Sequence, residues 1–114
     1  MQYLVEMKLS SGSRSRSPQE GLVFIERYVL PTLELCNTLQ NEKKIIAGGP
    51  VLGSVQLALI IQAGSEQELD NIVESLPIWP MMETTVTPLT SFNGREQAIK
   101  PRLERLKSLT QVVA

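Results

Sequence analysis

The stretch SVQLALIIQA, residues 54–63, limits what this chain can become more than any other. Val55, Leu57, Leu59 and Ile61 alternate onto one side of an extended segment, and Ser54, Gln56, Ala58, Ile60 and Gln62 onto the other. Successive side chains of a strand point to opposite faces, so this is a strand with one wholly apolar face and one mixed face. The apolar face requires a cover of helices, while the mixed face is expected to meet something less oily. A chain of 114 residues, 42% of them apolar, is long enough for one core and too short for two.

Residues 2–9 alternate in the same way, with Tyr3, Val5, Met7 and Leu9 on one face and Gln2, Leu4, Glu6 and Lys8 on the other, which predicts a first strand. SSGSRSRSP, residues 10–18, is a polar loop ending at a proline suited to a helix's first turn. Arg14 and Arg16 read there as solvated charges, with a phosphate contact or serine phosphorylation as the alternative. From about Gln19 to Asn41, Leu22, Ile25, Val29, Leu33 and Cys36 recur in steps of three or four, the stripe of a long helix. Pro31 inside it predicts a kink, or a break near Leu30.

KKIIAGGPVLGS predicts a short strand over Lys43 to Ala47 and then a glycine turn. Gly48, Gly49 and Gly53 match neither a phosphate loop of the GxxxxGK[ST] kind nor a nucleotide fingerprint, because a strand follows them rather than a helix. Ser65 and Glu68 form an S-x-x-E capping box that opens a second helix through Leu69, Ile72, Val73 and Leu76. That helix stops at Pro77. Pro80 leads into a last strand, Met81 to Thr87, with Pro88 closing it. Strand, helix, strand, strand, helix, strand is the ferredoxin-like order: an α+β βαββαβ sandwich with both helices on one face of an antiparallel sheet.

A net charge of −1 and 4% aromatic residues argue against nucleic acid and against an anionic membrane as partners. Histidine is absent and Cys36 is the single cysteine, which removes the usual metal ligand sets, every His-based triad and any intrachain disulfide. No cofactor is expected. The amino terminus lacks the pattern of a secretory signal and the longest apolar run is too short to span a bilayer, so a cytoplasmic location is expected.

ELDNIVESLPIWPMMETTVTPL, residues 68–89, resembles the carboxy-terminal half of the muconolactone isomerase family, in which a helix runs through Leu-Pro-aromatic-Pro into a strand ending in Thr-Pro-Leu. The resemblance implies a dimeric α+β barrel, two ferredoxin-like sheets face to face, as a homodimer or a larger ring of dimers. It also implies a cofactor-independent isomerase or related enzyme acting on a small lactone or carbonyl compound. In this arrangement Pro77 and Pro80 fix the approach to the last strand, so that Trp79 packs at a subunit contact or a pocket mouth. The family's glutamate on the first helix falls near Thr32 and its histidine near Ala47. Neither residue is retained, which leaves a non-catalytic ligand-binding or assembly protein on the same scaffold as the alternative.

Glu26 borders the apolar stripe of the first helix, where partial desolvation would suit a general base that removes a proton beside a carbonyl. It is the candidate catalytic residue, the alternative being a solvated flank charge. Tyr3, Trp79, Met81, Met82 and Glu83 are candidate substrate-binding residues: a phenolic donor, a soft apolar group and a strand carboxylate. Core packing and interface charges are the competing readings. Cys36 reads as a small buried hydrophobe.

Residues 1–92 are expected to form the barrel domain and residues 93–114 a helical extension. In the latter, Ile99, Leu103, Leu106 and either Leu109 or Thr110 keep helical spacing. Arg95, Lys100, Arg102, Arg105 and Lys107 against Glu96 and Glu104 leave +3 there, and −4 for the remainder, which makes up the net −1. Such a helix is expected to dock on its own or a neighbouring subunit, a membrane or other acidic partner being the alternative.

Overall fold

The computed structural model describes residues 1–10 and 17–113. The expectation for Arg14 and Arg16 lies outside the described residues. The elements run β1 (Gln2–Leu9), α1 (Pro18–Phe24), a π-helical turn (Ile25–Val29), α2 (Leu30–Asn41), β2 (Ile45–Pro50), β3 (Gln56–Gln62), α3 (Glu66–Ser75), a 3-10 turn (Trp79–Met81), β4 (Met82–Leu89) and α4 (Phe92–Val113).

The four strands form one antiparallel sheet in the order β2-β3-β1-β4. Tyr3, Val5 and Met7 stand opposite Ile61, Leu59 and Leu57. Directly opposed residues share a face, so these six build one apolar surface. It is buried against Leu39 of α2 and Leu69, Ile72, Val73 and Leu76 of the α3 segment. The other face carries Leu4, Glu6, Ala58 and Ile60, and no helix among the described residues covers it. This is the α+β ferredoxin-like order predicted from the alternation pattern. Among the described residues no helix is long and apolar enough to cross a membrane.

Four local expectations need correction. The first helix is unbroken: a π turn precedes Pro31, with the Leu30 amide bonded to the Ile25 carbonyl five residues back. That wider turn admits the missing proline amide and rotates the stripe. Leu22 and Ile25 are 62% and 52% exposed, while Thr32 and Leu39, beyond the turn, are buried. Gly48 and Gly49 belong to β2 rather than to a turn. Gly48 has φ +103°, and a β-carbon there would run into the Ala58 carbonyl oxygen of β3. The strand bulges between Ile45 and Ala47 and needs glycine beside it.

Pro88 lies inside β4, paired with Tyr3, and is tolerated because β4 is a sheet edge. Finally, α4 does not lie on its own body. Every residue from Thr90 to Gln111 is exposed, and the molecule measures 72 × 30 × 24 Å.

Candidate functional site

The connection SLPIWP positions one wall of the site. Leu76 ends α3 in an extended conformation (φ −69°, ψ 124°), as the residue before a proline must. The chain then closes a 3-10 turn through Trp79 N–H to the Leu76 carbonyl and Met81 N–H to the Ile78 carbonyl. Ile78 N–H is left over, and it donates to the Thr32 hydroxyl at 3.1 Å. Thr32 is 2% exposed, so this single bond satisfies an amide that water cannot reach and ties the last strand's approach to the first helix.

Around this link lies a recess of about 130 Å³ bounded by Val29, Thr32 and Leu33 of the first helix, Leu57 of β3, and Ile78 and Met82. Val29, Ser54, Val55 and Gln56 also border a wider cleft of about 710 Å³, walled by Phe24 and Ile25 on the helix side and Leu9 and Lys8 on β1. The two adjoin, sharing Val29, Ser54, Val55 and Gln56 in their linings. Its polar groups are few. The Ser54 hydroxyl donates to Gln56 Oε1 at 3.4 Å, which leaves the amide nitrogen of Gln56 as a donor. Among the described residues the Thr32 hydroxyl makes no donated bond, so its proton is available to the recess. Lys8 has no ion pair among them either. An apolar recess with the Thr32 hydroxyl on its wall suits a small, flat molecule that carries a carbonyl.

A second cavity of about 270 Å³ lies between α2 and the β2 edge, lined by Cys36, Asn37 and Gln40 opposite Gly48, Gly49 and Pro50. Burial pushes the Cys36 thiol above its ordinary value, so it is the neutral thiol that faces this space. Among the described residues no three His, Cys, Asp or Glu side chains gather into a metal-binding group.

The residues singled out in the sequence are spread over the molecule. Met82 lines the recess. Met81 is half-buried beside it, its carbonyl accepting the amide and the hydroxyl of Ser10. Trp79 packs against the core cluster. Tyr3 is buried on the helix side of β1 and donates to Met1 Sδ at 3.4 Å. Glu83 is exposed on the uncovered sheet face, opposite Lys8. Glu26 is exposed on the π turn, between the cleft-lining Ile25 and Val29. The structure thus does not gather these six around one space. Thr32, Gln56 and Ile78 enter the site without having been singled out for it; the one sequence signal was that Thr32 falls where the resembling family keeps an acid.

Comparison with known proteins bears on the same region. The model of the muconolactone delta-isomerase family matches residues 1–94. Among solved structures, a muconolactone isomerase superposes with a TM-score of 0.65 at 19% identity, over 80% of this chain and 90% of that one. A 5-chloro-2-hydroxyhydroquinone dehydrochlorinase from Burkholderia phenoliruptrix, solved in complex with 2,5-dihydroxybenzoquinone, superposes with a TM-score of 0.60 at 25% identity, over 82% of this chain and 98% of that one. No curated protein matches the sequence.

Proposed function

The chain belongs to the muconolactone delta-isomerase family, and from that premise we propose that it is a small-molecule enzyme of isomerase type acting on a lactone or related carbonyl compound. The observation that carries the reading is the unspent Thr32 hydroxyl proton at the base of an apolar recess. A carbonyl oxygen seated there gains a hydrogen bond that strengthens as negative charge develops on it, which lowers the barrier to removing a proton from the neighbouring carbon. Lys8, the charged residue among the described ones bordering the cleft, offers a cation to a substrate carboxylate. In an isomerisation the proton leaves the carbon beside the carbonyl and returns to a carbon further along the conjugated system, so the double bond moves and the composition is unchanged. Glu26, exposed on the π turn next to the cleft-lining Ile25, is the candidate base.

A second reading has its own observation: among the described residues lining the recess and the cleft there is no carboxylate. Binding without turnover fits that wall. In both readings the uncovered sheet face pairs with a second copy, as the resemblance to the dimeric barrels implies.

Thermal-shift binding with small carboxylated lactones and quinones, followed by NMR detection of deuterium uptake from D2O, separates the two readings. Under the enzymatic reading, ligand stabilises the wild type by roughly 2.7 kcal/mol at a hundredfold excess over its dissociation constant. Thr32→Val weakens that stabilisation, and Glu26→Gln keeps binding while losing deuterium uptake. Stabilisation without uptake in the wild type selects the binding reading. The absence of stabilisation across both ligand classes would sink both.

A further inference from the structure

The family match ends at residue 94, so almost all of α4 is this chain's addition to the scaffold. Its sequence does not support a helix standing in water. Pro101 interrupts the hydrogen-bond ladder at the Gln97 carbonyl, and exposed apolar residues run along one side. Phe92, Ile99 and Leu106 recur every seven residues with Leu103 beside them, and Arg95 and Arg102 flank that stripe seven residues apart. Lys100 is paired with Glu96 and Lys107 with Glu104. Among the described residues neither Arg95 nor Arg102 has an ion pair. Two α4 helices laid on each other would set Arg95 and Arg102 against the same basic flanks in either direction, so α4 is a poor partner for itself.

The outer side of the first helix is its complement. Leu22, Val23 and Leu30 are exposed there, with Glu26 and Glu34 exposed among them. Those two carboxylates are eight residues apart, about 12 Å along a helix, and the two arginines seven residues, about 10 Å. We propose that α4 of one copy docks along the first helix of a second copy. Ile99, Leu103 and Leu106 then cover Leu22, Val23 and Leu30, while Arg95 and Arg102 meet Glu26 and Glu34. The chain's own α4 leads away from its body along the 72 Å axis, which directs it to a neighbour. A two-fold pair makes the exchange reciprocal and doubles the buried surface. The docking shares Glu26 with the ligand chemistry proposed above, and the contact of Arg102 with Glu34 is the one that tests it separately. The docking also places the partner's helix beside the cleft wall formed by Ile25.

Directed cross-linking of full-length chains tests this. In a Cys36→Ser background, Leu30→Cys and Leu103→Cys are introduced on separate chains of different tag length, mixed at micromolar concentration and oxidised mildly. The expected product joins one chain of each kind; Arg102→Glu in the second chain removes it, and Glu34→Arg in the first restores it. Three results would overturn the proposal: a product joining two Leu103→Cys chains, a link formed only when both cysteines share one diluted chain, or no link at all. Circular dichroism of each variant confirms folding, and because both cysteines replace exposed residues the native helix content should persist.

Discussion

Thr32 shows how one side chain can serve two levels of structure. Its oxygen accepts the buried Ile78 amide and the residue lines the recess. Thr32→Val keeps the shape and removes the acceptor, leaving a buried donor unpaired, so unfolding in urea should show a loss of about 1–3 kcal/mol. Thr32→Ser should retain most of the stability. Cys36 makes a prediction in pH. Burial raises its thiol above 9.0 in the folded state, so the unfolded chain ionises first. Its contribution to stability is therefore complete below pH 9.0 and declines as pH rises through the folded value. Urea midpoints of wild type and Cys36→Ala, compared across that range, should diverge only on the alkaline side. Neither role is visible in the residue alone, since each depends on what is packed around the hydroxyl or the thiol.

At the scale of elements, legibility follows range. The α3 cap was readable because its partners lie within four residues: Ser65 Oγ accepts the Glu68 amide at 3.1 Å, and Glu68 reaches back to the Gly64 amide at 2.9 Å. The capping box was expected, but its return bond goes one residue further than the usual pattern. Ser65→Ala should destabilise the protein by about 1 kcal/mol, seen as a lower urea midpoint with unchanged slope. The first helix was harder to read. Its length was legible from Leu22 to Cys36, but the stripe was drawn for a uniform 3.6-residue turn, and one π turn ahead of Pro31 moved every later side chain around the axis. Glu26 and Ile25 sit in that turn, so the part of the candidate site that lies on this helix was the least predictable from spacing. The glycines of β2 are hard to place for a related reason: a bulge held by cross-strand contact looks, in sequence, like a turn.

At the scale of the whole molecule, the sheet face with Leu4, Ala58 and Ile60 and the stripe of α4 have no cover among the described residues. A half-apolar sheet face of this kind is stable when paired. Light scattering should give at least twice the 12.7 kDa chain mass, and Ile60→Asp should lower it; a wild-type monomer at micromolar concentration would refute the paired face. The sequence by itself determined which residues had to leave water and the order in which strands and helices would supply them. That information is carried by local periodicity and by caps of a few residues. Tertiary structure alone decided that Thr32 meets Ile78 across 46 positions, that the recess forms beneath them, and that α4 points away from the body. Periodicity says which side of an element must be covered and not by what, because the partner is chosen by packing between segments far apart in the chain.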